Sequence, residues 1–175
     1  LVIVGGYGYI AGSSDIGTSQ VLVVSKFDLN GQLVPSFGSG GIATVNFGAN
    51  TRSFAEAVGV DGAGNIFLAG ATRTSPATSY SLAAAKLDAT GALVPSFGTG
   101  GLVTIALSGY SASFFALAPD SAGGIYVGAT RYASSASSIV VYQLGASGLP
   151  VNGFGVAGST VISFTGNYDE LHALV

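Results

Sequence analysis

Residues 26–41 read KFDLNGQLVPSFGSGG, and residues 86–101 read KLDATGALVPSFGTGG. Phe97 stands sixty residues after Phe37, and all four glycines of the segment keep their places. A third copy follows 57 residues later, with Gln143-Leu144-Gly145, Gly148, Phe154-Gly155 and Gly158. In it Gly145 replaces the aspartate, Gln143 replaces the lysine and Val156-Ala157 interrupts the glycine run, so the same fold with a looser turn is expected. Self-similarity at a long fixed period marks a repeat architecture and outranks element-by-element guessing.

A second signature lies between these segments. Asp61 and Gly64-Asn65-Ile66-Phe67-Leu68-Ala69-Gly70-Ala71-Thr72-Arg73 are echoed by Asp120 and Gly123-Gly124-Ile125-Tyr126-Val127-Gly128-Ala129-Thr130-Arg131, and Leu1 to Gly6 reads as the tail of an earlier copy. Each unit therefore holds four short apolar runs separated by turn residues, the size of a four-stranded antiparallel blade. Strand a falls at 55–60, 115–118 and 171–175; strand b at 66–70, 125–128 and 2–5. Strand c falls at 21–27, 81–87 and 139–144; strand d at 41–47, 101–107 and 159–164. No segment carries a helical period.

The turns have a local chemistry. Asp28, Asp61, Asp88 and Asp120 are each followed three residues later by Gly31, Gly64, Gly91 and Gly123. Aspartate accepts hydrogen bonds from its own turn, and glycine reaches the positive φ that closes it. Structural turns explain these aspartates better than calcium, because a calcium loop needs several alternating oxygen ligands and a distal glutamate. Strand d alternates, with Ala43, Val45 and Phe47 opposite Thr44 and Asn46. Strand a instead sets a larger row (Val58, Leu117, Leu174) against a smaller one (Ala57, Ala116, Ala173), which suits a sheet covered on both faces.

Only 7% of the 175 residues are charged, while 28 are glycine. Five Lys plus Arg against eight Asp plus Glu leave a net charge of −3 and no basic stripe, which excludes nucleic acid as an expected partner. Cysteine is absent, so disulfides and thiolate metal sites are excluded. Mean hydropathy is positive, yet no apolar run approaches the ~18 residues of a spanning helix. A transmembrane β-barrel is kept as a minor alternative: it fits the low charge and strand alternation, but the four-strand period and the lack of clear aromatic girdles stand against it.

The pattern Lys-x-Asp-x-x-Gly-x-Leu-x-x-x-Phe-Gly-x-Gly-Gly at Lys26 to Gly41 and Lys86 to Gly101 resembles the delta-60 repeat family of bacterial proteins. Asp-x-x-Gly-Asn-Ile-Phe-Leu-Ala-Gly at Asp61 to Gly70 resembles it too. The resemblance implies a β-propeller, exported or displayed at the bacterial cell surface, without an assigned activity. The expectation is an all-β fold of propeller blades in one repeat domain over 1–175, with units at about 1–47 (partial), 54–107 and 114–164, and with 171–175 starting or completing another. Three blades' worth of strands falls short of the roughly four to eight that close a propeller. The missing blades are expected from self-association or a longer parent chain, with 171–175 adding strand a to the sheet begun by Leu1.

His172 is the one histidine, and it aligns with Glu56 and Phe115 on strand a, where a propeller axis would pass; Glu170 lies two residues away. These are the candidate ligand contacts of a channel, set against a purely structural role. One histidine and no cysteine argue against a metal, no cofactor is expected, and no G-x-S-x-G elbow accompanies the serines. Lys26 and Lys86, and Arg73 and Arg131, recur at equivalent positions and so favour a shared structural role. Tyr7, Tyr9, Tyr80, Tyr110 and Tyr132 fall in or near loops and are read as able to stack on sugars. The expected function is non-enzymatic: a secreted or cell-surface scaffold or adhesion module whose partners are its own copies, a glycan or a surface protein. Outer strands at 42–47 and 102–107 without lysine also suit an extracellular filament. A lectin-like propeller and an enzyme using the channel are the remaining alternatives.

Overall fold

The computed structural model describes residues 1–77, 79–107, 111–133, 136–164 and 168–174. Twelve strands and no helix occur among them. They are β1 (Val2–Val4), β2 (Tyr7–Ile16), β3 (Ser19–Asp28), β4 (Ile42–Val45), β5 (Thr51–Val60), β6 (Ile66–Thr74), β7 (Ser81–Leu87), β8 (Leu102–Ile105), β9 (Ser111–Pro119), β10 (Ile125–Tyr132), β11 (Ser137–Leu144) and β12 (Ser159–Ile162). Consecutive strands pair antiparallel in three four-stranded meanders: β1 to β4, β5 to β8 and β9 to β12. A single parallel pair, Gln20 with Arg52, joins the first two meanders into one eight-stranded sheet, and the third forms its own. Neither sheet closes into a barrel.

Two expectations are corrected. Residues 2–5 were expected as strand b, yet β1 lies where strand a lies in the other meanders, and strand b is β2. The reason is local: Gly5 and Gly6 both take positive φ and turn the chain in two residues, so Val4 faces Tyr7. Residues 171–175 were expected as strand a, but residues 168–174 form no strand, and Val175 lies outside the described residues. Hydroxyl groups hold this stretch instead of a ladder. The Leu171 amide donates to Thr130 Oγ1, and the Asp169 amide to Ser137 Oγ.

The meanders pack face to face. Tyr9, Leu22, Val24, Phe37 and Val45 of the first meet Ile66, Leu68, Ala85 and Leu87 of the second. The opposite face of the second, with Phe67, Ala69, Ala71, Leu82 and Phe97, meets Ile125, Val127, Ala129 and Val140 of the third. With both faces covered, β6 is continuously apolar from Ile66 to Ala71 instead of alternating. Leu171 and Leu174 then lie on Tyr126, Ile139, Val141 and Phe154, the far face of the third meander.

One aromatic pair recurs in every meander. Tyr9 meets Phe37, Phe67 meets Phe97 and Tyr126 meets Phe154, all edge to face with ring centroids 5.6–6.2 Å apart. This geometry places the positive ring edge on the negative ring face. It explains why the phenylalanine of the Pro-Ser-Phe-Gly segment persists even in the degraded third copy.

Candidate functional site

The four aspartate turns are built alike. Each aspartate Oδ1 accepts from the amides two and four residues on: Asn30 and Gln32, Ala63 and Asn65, Thr90 and Ala92, Ala122 and Gly124. Gly31, Gly64, Gly91 and Gly123 all take φ between 79° and 89°. In the third copy Gly145 keeps the two backbone bonds, to Leu149 and from Gly148, without a carboxylate. The Gln32 amide, assisted by Asn30, holds the Asp28 carboxyl below its ordinary range, and the Thr90 hydroxyl with nearby amides does the same for Asp88.

Two of the three channel candidates, Glu56 and Phe115, meet through a side chain and a backbone amide. Glu56 sits at a register shift in β5, and its Oε2 accepts a 3.0 Å hydrogen bond from the Phe115 amide, tying β5 to β9. Phe115 is buried in the core between the second and third meanders. His172 and Glu170 are exposed on the stretch after β12. The two Asp-x-x-Gly turns around Asp61 and Asp120 line a shared cleft, but each carboxylate is occupied by its own turn. Among the described residues, no group of three or more His, Cys, Asp or Glu is placed to hold a metal ion.

Other repeated residues have separate tasks. Lys86 is buried, lies 4.9 Å from the Phe67 ring centre and donates from Nζ to the Gly123 carbonyl at 2.8 Å. Lys26 instead lies over Tyr7, at 4.3 Å. Arg131 donates from Nε to Ser138 Oγ. Of the tyrosines, Tyr7 and Tyr132 stand at strand ends and Tyr80 lies in the connection before β7, packed on Phe54, whereas Tyr9 is buried within β2. Tyr110 lies outside the described residues.

A polar cleft of about 460 Å³ escaped the sequence reading. Thr18, Asn50, Arg52, Arg73 and Ser75 line it, at the end of the sheet where β3 bridges β5. Arg52 and Arg73 are direct cross-strand partners on β5 and β6. A 21-residue separation gives no sequence cue, and only the β5–β6 register brings them together. Thr18 Oγ1 donates to Asn50 Oδ1 at 3.0 Å, and the Asn50 carbonyl accepts the Ser75 amide. Asn50 takes a φ of 56°, which asparagine tolerates better than most residues.

No family model, no curated protein and no solved structure matches the chain.

Proposed function

We propose that this chain is a stacking repeat module of the β-propeller type, related to the delta-60 repeats, which acts without catalysis as an extracellular or cell-surface scaffold. One observation carries this reading. In the second meander the cross-strand row Leu68, Ala85 and Leu102 packs against the first, and in the third the row Val127, Tyr142 and Ser159 faces the second. The matching row of the first meander is Ile10, Ser25 and Ile42. It is open, with Ile10 51% and Ile42 37% exposed and Ile3 on the same face 62% exposed.

An apolar sheet face that two neighbours bury in the same register favours a further copy of the same repeat as its cover. Such stacking suits a scaffold or a polymer, because each added unit repeats one interface. Sedimentation of this chain from micromolar to near-millimolar concentration tests it. Assembly that grows with concentration and is lost in Ile10→Asp is expected. A single monomeric species throughout would overturn the reading.

A further inference from the structure

We infer that the cleft between Arg52 and Arg73 is a binding site for a tetrahedral oxyanion, the phosphate or sulfate group of a small polar ligand. The chain is acidic overall, yet two of its five cationic side chains stand directly opposite each other on one antiparallel pair. Like charges in that position destabilise a sheet unless something lies between them. Among the described residues, no carboxylate lines the cleft and neither arginine forms an ion pair with a carboxylate.

Arg73 is held ready. Its Nη1 donates to the Ala77 carbonyl at 2.7 Å and its guanidinium lies 5.0 Å from the Tyr80 ring centre, while its buried Nε has no acceptor among the described residues. Arg52 is exposed and faces the same cleft. The bond from Thr18 occupies Asn50 Oδ1, so the amide offers Nδ2 as a donor without a partner among the described residues. With the Ser75 hydroxyl, the lining supplies donors and fixed positive charge from several directions. Four oxygens of a tetrahedral anion use such a set more fully than two oxygens of a carboxylate, and planar guanidinium forks match them pairwise. A cleft of about 460 Å³ leaves room for the rest of a molecule that carries the anion.

The equivalent positions of the third meander pair Arg131 with Ala112. The arginine pair is therefore peculiar to the second meander and not a repeated structural device. This site does not depend on stacking.

The test titrates the chain with sodium phosphate, sulfate and acetate at fixed ionic strength against chloride, following backbone amide NMR shifts. Phosphate or sulfate is expected to move the amides of Asn50, Arg52, Arg73 and Ser75 saturably. Arg52→Gln removes one fork at an exposed position and is expected to weaken binding at least about tenfold, the scale of one charge-assisted contact. Its unfolding midpoint in chloride is expected to be no lower than that of the parent, because a repulsion is relieved. Tighter phosphate binding assigns a phosphorylated ligand, and tighter sulfate binding a sulfated one. No saturation by about 50 mM anion, acetate binding as tightly as either, or undiminished binding in Arg52→Gln would overturn the site.

Discussion

The amide of Gly98 donates a 2.7 Å hydrogen bond to the carbonyl of Ser147, and Gly38 makes the same bond to Thr90 at 2.8 Å. Each joins the Pro-Ser-Phe-Gly segment, or its copy, of one meander to the turn after strand c of the next. The latch thus repeats with the sequence, and it couples turn geometry to the packing of whole meanders. Asn30 is the counterpart acceptor in the first meander and Gly155 the counterpart donor in the third, and neither bond is made among the described residues.

Gly91→Ala is expected to cost more than Gly31→Ala, although both glycines hold the same place in the same turn. Both pay about 1–2 kcal/mol for a side chain at positive φ. At Gly91 an added Cβ would also meet Ala43 Cβ and Gly38 N at 3.1 Å, whereas at Gly31 none of the described residues lies within 4 Å. The difference should reach about 1 kcal/mol in urea unfolding. Equal losses would mean that the turn does not press on the preceding meander.

Phe97→Ala should lose about 3–5 kcal/mol, since the ring is wholly buried and a cavity remains. Phe154 is only partly buried, and its truncation should cost no more than about half as much. Denaturant midpoints compared at equal m-value check both.

Lys86→Met is expected to destabilise by about 1.5–3 kcal/mol, because a buried, charged donor to the Gly123 carbonyl disappears. Lys26→Met should stay under about 1 kcal/mol, since Lys26 Nζ makes cation–π contacts but has no hydrogen-bond acceptor among the described residues. Thermal unfolding of the two variants side by side would reveal a reversed order.

Stability should fall in acid. The Asp28 and Asp88 carboxyls are held below their unfolded value of 3.8, so the unfolded chain takes up protons first. Their contribution is full above about pH 5 and disappears as pH drops through the depressed folded values. In Asp28→Asn combined with Asp88→Asn, the urea midpoint should vary less with pH between about 2 and 5 than in the parent. An unchanged acid slope would count against these turns as its source.

Much of the fold was legible because its signals are short-ranged. An aspartate that bonds amides two and four residues away, and a glycine at a φ near 80°, act within one turn and leave a mark in five residues of sequence. The beginning of the chain was misread for the opposite reason. Val2 to Gly5 carries strand-like composition, but which strand it is depends on its partner, and the partner is chosen by the Gly5-Gly6 turn.

The candidate site was far less visible. Glu56 and Phe115 do meet, but as a carboxylate serving a backbone amide between meanders, and His172 is exposed on the stretch after β12. Asp169, fastened to Ser137 and to the Phe164 amide, carried no recognisable spacing.

The sequence alone determined the all-β class, the sixty-residue period and the chemistry of each turn, since these rest on contacts between near neighbours. Only the tertiary structure decided which faces are covered, which lysine is buried and that Arg52 stands opposite Arg73. Those outcomes depend on strand register, where a shift of one residue turns every side chain to the other face. Register is set by turns, bulges and neighbouring sheets together, not by any local run of residues.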